Sequence, residues 1–339
     1  MYLDFWRVWF KNIIQSAMQN SLRLKVIVLK ACLFFPVLAF SQFRVVGYVQ
    51  PRGDLTPDIL KIPFQNITHL NIAFVNPDST GNLMLPPGFD SLIQKAHEYK
   101  IKVLASIGGG NFNPYYSALI SDSNRKAFIT RLVNLVVDYS LDGIDVDLEN
   151  DNAADKNYDH LVAGLSEVLK PLGKLLTAAL ATWNARIISN RALSKFDFIN
   201  IMSYDQTGPW RPDQPGPHST YAKAVEDLYY WTHVRRFPAK EINLGLPFYG
   251  YCFGTIYGES LSYSDIIKNF PGTDQLDTIA PESGGVIYYN GIPTIKNKTE
   301  LALKNAGGVM IWQLLQDSQD NKSLLSAINA VIKNSSTKH

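Results

Sequence analysis

Cysteine is nearly absent: the 339 residues contain two, Cys32 and Cys252. Only Cys252 falls in the mature part of the chain as read below, which excludes an intramolecular disulfide there and leaves core packing as the source of stability. Excess charge of either sign is missing as well, with 32 Lys and Arg against 30 Asp and Glu. That balance gives no reason to expect nucleic acid or an anionic surface as a partner. Low-complexity segments, short repeats and Pro/Ser-rich linkers are lacking too, so the chain reads as one large domain with a substantial core. His69, His97, His160, His218 and His233 show no ligand spacing, and none is read as catalytic.

A comfortable membrane span is also wanting. Arg23, Lys25 and Lys30 precede the apolar run Ala31 to Phe40, and Ala39-Phe40-Ser41 gives a small-residue pattern for cleavage before Gln42. This predicts a signal peptide over residues 1–41, removed near Ser41-Gln42, and a protein secreted or held in the periplasm or at the cell surface. A membrane anchor is the competing reading. A lipid anchor on Cys32 fits less well, because Leu33-Phe34-Phe35 is too apolar for a lipoprotein linker. Residues 1–17 look superfluous, with Met18 as an alternative start. Cleavage removes five cations and one anion, so the net charge falls by four, from +2 to −2.

What the mature chain does have is a strand-then-helix rhythm. Strands are expected at Arg44–Val49, His69–Val75, Val103–Ile107, Gly143–Leu148, Leu175–Ala181, Phe198–Tyr204, Ile242–Leu246 and Gly308–Trp312. Between them run helical stripes such as Phe128, Leu132, Leu135, Val136 and Tyr139, and Tyr158, Leu161, Val162, Leu165, Val168 and Leu169. Eight such units within residues 42–334 predict an α/β fold of the (β/α)8 TIM-barrel type. The gap from Leu246 to Gly308 exceeds what one helix needs, so a small insertion on the barrel rim, within about 250–300, is expected between strands seven and eight, with Tyr249 to Tyr289, rich in Gly, Tyr and turn residues, as the excursion.

Chemistry concentrates in LDGIDVDLEN, Leu141 to Asn150. Residues two apart on a strand share a face, so Asp145, Asp147 and Glu149 line one side and Ile144, Val146 and Leu148 the other. Three acids in line with no cation among them is rare, because like charges on one face repel. In a barrel they would point inward and climb to the C-terminal rim, with Glu149 at the mouth. Stacked carboxylates cannot all ionise freely, so at least one should keep a proton at neutral pH, as an acid catalyst must. Asp142, at odd offset, is expected to hydrogen-bond near the strand entrance.

DGIDVDLE, Asp142 to Glu149, fits the D-x-x-D-x-D-x-E signature and so resembles glycoside hydrolase family 18, the chitinases and their relatives. ASIGGGN, Ala105 to Asn111, INIMSYD, Ile199 to Asp205, GLPFYG, Gly245 to Gly250, and GGVMIWQL, Gly307 to Leu314, are similar to its motifs on strands three, six, seven and eight. The resemblance runs from about Arg44 to Asp317 and includes YYNGIPTIKNKTELAL, which looks like a shortened form of the insertion many members carry.

The resemblance implies retaining hydrolysis of β-1,4-linked N-acetylglucosamine, in chitin or its oligomers, with the substrate's acetamido group as nucleophile. Glu149 would protonate the glycosidic oxygen, Asp147 would hold the acetamido N–H, Asp145 would share a proton with Asp147, and Tyr204 would hold the acetamido oxygen. Asp205 and Met202 would line the pocket, Trp312 would form its apolar floor, and Tyr48 and Phe74 are weaker lining candidates. No cofactor and no metal is implied, and a monomer is expected. A divalent-cation site on the acid ladder is the bland alternative, but no histidine accompanies it. The glycines around Gly109 could suggest a phosphate loop, yet no Lys-Ser/Thr follows, which favours a tight turn that lets substrate approach. Trp210, on a rim loop between Gly208-Pro209 and Arg211-Pro212, could touch sugar, Trp183 could equally be packing, and Trp231 reads as core. Sequons at Asn66, Asn297, Asn321 and Asn334 matter only in a host that glycosylates exported proteins. Two other functions stay open: an endo-β-N-acetylglucosaminidase acting on N-glycans, and a chitinase-like lectin that binds without cutting.

Overall fold

The computed structural model describes residues 42–51, 53–111 and 113–337. The leader expected over residues 1–41 lies outside them. Eight parallel strands close into a barrel: β1 (Arg44–Val49), β2 (His69–Ala73), β3 (Lys102–Gly109), β4 (Gly143–Leu148), β5 (Leu175–Leu180), β6 (Phe198–Ile201), β7 (Ile242–Pro247) and β12 (Gly308–Trp312). Their order around the barrel is sequential, with β12 completing the ring between β7 and β1. Among the described residues no helix is long and apolar enough to cross a membrane.

Alternation on each strand divides the molecule into two apolar layers. Outward residues such as Ile144, Val146 and Leu148 of β4 pack with Leu132 and Val136 of the helix Arg125–Asp138 and with Leu161, Val162 and Leu165 of the helix Tyr158–Leu169. Inward residues form a smaller cluster, Val46, Tyr48, Ala73, Ala179, Phe198, Tyr204 and Met310, beside the inward acids of β4. Trp231 is fully buried, and its Nε1 donates to Thr182 Oγ1 at 3.1 Å.

Several strand ends differ from the sequence expectation: β2 stops at Ala73 and β5 at Leu180, β3 begins at Lys102 and β7 runs to Pro247. Strand β3 runs on to Gly109, because Gly108 and Gly109 hold positive φ angles of 110° and 97° where side chains do not fit. Strand β6 stops at Ile201 rather than Tyr204, since Ser203 N turns back to Ile201 O and Asp205 adopts the left-handed region with φ of 60°.

After β7 the chain leaves the barrel as β8 (Tyr249–Phe253) and builds a four-stranded antiparallel sheet with β9 (Ser260–Ser262), β10 (Thr278–Ile279) and β11 (Val286–Tyr288), in the order β10-β11-β8-β9. A helix, Tyr263–Asn269, lies within it, capped by Ser262 Oγ accepting from Asp265 N at 3.0 Å. The insertion therefore ends near Tyr289, where the Gly- and Tyr-rich excursion ends in the sequence, short of the outer bound of about 300. Residues Ile292–Asn305 are instead the barrel helix before β12, packed against β7, β12 and the helices Tyr221–Tyr229 and Leu324–Ser336.

Candidate active site

Strand β4 carries three carboxylates in successive layers, each in a different environment. Asp145 is fully buried and accepts hydrogen bonds from Tyr48 Oη at 2.7 Å, Ser106 Oγ at 2.8 Å, Thr177 Oγ1 at 2.6 Å and Asn200 Nδ2 at 3.4 Å. Burial pushes its pKa up, and these four donors pull against that. Asp147, one layer higher and 3% exposed, has an Oδ1 with no hydrogen-bond partner from the protein. Its pKa is raised well above the usual carboxylate range by burial, then by the charges of Glu149 and Asp145. Glu149, at the rim, is raised to about 7, first by burial and then by the charge of Asp205. The ladder thus passes from a sealed, fully donated acid to an acid that opens on a cleft.

The glycine run of β3 lets the chain pass tightly over this ladder. A Cβ at Gly108 would stand 2.2 Å from the Asp147 carbonyl oxygen, one at Gly109 2.5 Å from the Phe74 ring, and one at Gly110 3.4 Å from Glu149 Oε1. No side chain fits at the first two places. Asp142, at the other end of β4, accepts from Val103 N at 2.9 Å and Lys102 Nζ at 2.7 Å, and faces His97 Nε2 at 3.0 Å. It ties the strand entrance to β3 and lies apart from the cleft.

A cleft of about 550 Å³ opens above Glu149, lined among others by Met202, Tyr204, Asp205, Trp183, Trp210 and Arg211. Trp183 and Trp210 are 62% and 56% exposed, high values for indole rings. Tyr204 is buried, with its hydroxyl 3.8 Å from Met310 Sδ and its ring edge-on to Tyr249 at 6.2 Å. Asp205 accepts a short hydrogen bond from Tyr249 Oη. Trp312, half-buried at the end of β12, meets Phe74 in a stack 5.7 Å apart and Tyr48 at 5.6 Å, and neither Trp312 nor Phe74 is among the residues lining the cleft. Tyr48 itself lies below the mouth, turned to Asp145 and away from the open cleft. The peptide bonds Ala73-Phe74 and Trp312-Gln313, at the ends of β2 and β12, are cis.

Sequence reasoning missed several partners. Ser106 and Thr177 stand opposite Asp145 on the neighbouring strands, a relation that appears only once the register is known. His218 shows no ligand spacing in the sequence, yet its Nδ1 lies 3.4 Å from Asp205 Oδ1. Among the described residues no group of three or more His, Cys, Asp or Glu side chains is arranged to hold a metal ion.

A parallel eight-stranded barrel with an acid ladder rising to the C-terminal rim of β4 defines a class of sugar-cleaving enzyme. The chain belongs to glycosyl hydrolases family 18, whose family model matches residues 44–317, and it is a chitinase-type glycosidase. It is similar to the GH18 chitinase ChiB from the chitin utilization locus of Flavobacterium johnsoniae, with 39% identity, a TM-score of 0.79, and 87% of this chain and 95% of that one covered. A chitinase from Bacteroides thetaiotaomicron is 28% identical with a TM-score of 0.75, over 88% of this chain and 99% of its own. Chitinase-3-like protein 2 of Homo sapiens is 25% identical over 352 residues, 84% of this chain and 89% of the relative.

Proposed function

We propose that the chain cleaves β-1,4-linked N-acetylglucosamine, in chitin or its oligomers, with retention at the anomeric carbon and with the substrate's own acetamido oxygen as nucleophile. The observation that carries this reading is the graded ladder: a sealed Asp145, an Asp147 with an unpartnered Oδ1, and a Glu149 raised to about 7 at the cleft. A buried acceptor left without a donor is costly unless a ligand supplies one, and an acetamido N–H is such a donor.

Each residue then has a defined step. The Glu149 carboxyl gives its proton to the glycosidic oxygen as the C1–O bond breaks and the aglycone leaves as an alcohol. Asp147 holds the acetamido N–H, turns the carbonyl oxygen toward C1 and offsets the positive charge of the oxazolinium that forms. Asp145, with its donors satisfied, keeps Asp147 in place and shares its proton. The Tyr204 hydroxyl holds the acetamido oxygen. Water, losing its proton to the Glu149 carboxylate, attacks C1 from the face the aglycone left, and the ring opens to the β-anomer. Trp312, stacked on Phe74, is the floor under the reacting sugar, because a pyranose C–H face packs on indole. The exposed rings of Trp183 and Trp210 offer the same support further along the cleft.

The positively flanked apolar run before Gln42 supports export, with action outside the cytoplasm. Incubating the purified protein with chitin oligomers and, separately, a high-mannose glycoprotein tests the reading. Shortened oligomers and an intact glycoprotein are expected. Glycan release without oligomer cleavage would make it an endo-β-N-acetylglucosaminidase, and binding with no product from either would make it a lectin.

A further inference from the structure

His218 has an unusual setting. The ring is 1% exposed, wedged between Tyr249 at 4.9 Å and Tyr251 at 4.8 Å, and neither nitrogen has a hydrogen bond of good geometry. Its Nδ1 nevertheless lies 3.4 Å from Asp205 Oδ1, within ion-pair reach though off the hydrogen-bond direction. A buried imidazole with bare nitrogens is costly unless a charge or a ligand repays it, and the carboxylate it faces is the one whose charge acts on Glu149.

The fold holds this ring firmly. Gln206 N donates to His218 O at 3.0 Å, which closes the rim loop directly after Asp205. The next residue, Ser219, is clamped from three sides: its hydroxyl donates to Ser203 O at 2.7 Å, Lys298 Nζ donates to both its carbonyl and its hydroxyl at 2.7 Å, and Asn290 Nδ2 donates to its carbonyl at 2.9 Å. Lys298 is itself fully buried on the helix Ile292–Asn305. Behind the same segment Asp227 accepts from Ser203 Oγ at 2.7 Å and is ion-paired to Lys223. The groups that face or flank His218 are therefore Asp205, Tyr249 and Tyr251, with the Lys298 clamp and the Lys223–Asp227 pair beyond Ser219. Asp205 is 38% exposed and lines the cleft, so the imidazole approaches it from the buried side.

We propose that His218 is a positioning residue for the reaction: from beneath the cleft it fixes the placement of Asp205 and presents a polar ring edge to its carboxylate, and so sets how strongly Asp205 acts on the catalytic proton of Glu149. The inference rests on the reading of Glu149 as the acid. With the imidazole in place, Asp205 has a polar neighbour on its buried side and repels the ionised form of Glu149 less. Without it, the full charge of Asp205 acts on Glu149, which keeps its proton to higher pH.

The test compares kcat/KM on a chitin oligomer across pH for the parent, His218→Phe and His218→Gln, with Glu149→Gln as control. Phenylalanine keeps the ring between the two tyrosines and removes both nitrogens, while glutamine keeps a polar donor without the ring. The alkaline limb of kcat/KM should move upward by roughly 0.5 pH unit in His218→Phe and by less in His218→Gln. KM should rise in His218→Phe and be largely restored in His218→Gln. In an Asp205→Asn background, neither substitution should move the limb further. Limbs that coincide with the parent's in both folded variants, or a shift that survives Asp205→Asn, would overturn the proposal. Should His218→Phe not fold, the glutamine variant and its Asp205→Asn pair decide the matter by the same limb. An active Glu149→Gln would instead sink the underlying assignment, so the two failures are told apart.

Discussion

On β4 Asp147 stands two residues below Glu149 with its Oδ1 buried and unpartnered, while Asp145, two residues lower, takes donors from Tyr48, Ser106, Thr177 and Asn200. The protein has spent its donors on the deep acid and left the upper two for what enters the cleft. Glu149→Gln should therefore keep the fold and oligosaccharide binding and lose turnover by on the order of 10²–10⁴-fold, the usual worth of a positioned general acid. Calorimetric binding beside steady-state rates on a chitin oligomer checks both halves. Near-parental turnover would remove Glu149 from the role of acid.

The pH dependence follows from the same residue. Glu149 is raised to about 7 by burial first and by Asp205 second, so the protonated acid is lost as pH climbs through that value and kcat/KM should fall on the alkaline side. Replacing Asp205 by Asn takes away a nearby negative charge, makes ionised Glu149 easier to form, and should move the alkaline limb to lower pH. A pH–rate profile of Asp205→Asn whose limb stays put or climbs would contradict this coupling.

Trp312→Ala should raise KM by about threefold to tenfold with kcat little changed, if the indole meets the sugar alike in ground and transition states, since such contacts are worth about 0.5–1.5 kcal/mol beyond burial. The Phe74 ring stacked on it would lose its partner too. Unchanged kinetics in a folded variant would move Trp312 from substrate floor to packing.

How much of this was legible beforehand depends on whether the signal is local. The β4 ladder could be read because acids and aliphatics alternate with the period of a strand, and both faces of Gly143–Leu148 lie where that alternation puts them. The donors to Asp145 could not, because Ser106 and Thr177 face it through cross-strand register, and Tyr48 and Asn200 reach it across the barrel. Asp205 and His218 lie 13 positions apart and meet only because the rim loop closes through Gln206 and His218. The outer bound of about 300 overshoots for a related reason: the helix Ile292–Asn305 buries Lys298 and Thr299 alongside Ile295 and Ala302, so its inner face does not read as an apolar stripe.

Lys298 also gives the fold a pH dependence of its own. Burial lowers its pKa from the ordinary 10.5 to about 7, so the folded state binds the proton less readily than the unfolded chain. Its contribution to stability is fully present above 10.5 and is lost as pH falls toward 7. Lys298→Met should abolish that slope in denaturant titrations run between those pH values. It should also cost about 1–3 kcal/mol for Asn290 Oδ1, left unpaired, while Ser219 O keeps the donor Asn290 Nδ2. Parallel stability–pH curves for parent and variant would show that Lys298 does not titrate in the folded state.

The sharpest prediction changes the substrate and leaves the protein alone. If the acetamido oxygen is the nucleophile, an oligomer whose reacting residue is glucosamine should resist cleavage although Glu149 is intact. No side chain of the ladder can replace the missing carbonyl: Asp145 is enclosed by its donors, and Asp147 sits where it can receive an N–H. Were Asp147 itself the nucleophile, a covalent sugar ester would form and both substrates would be cut. Proton NMR of fresh digests of the acetylated oligomer supplies the second arm. Attack by the neighbouring group followed by water from the opposite face must release the β-anomer first, before mutarotation mixes the signals. Equal rates on acetylated and deacetylated oligomers, or a dominant α-anomer at early times, would exclude the substrate-assisted route while leaving the barrel and its acid ladder unchanged.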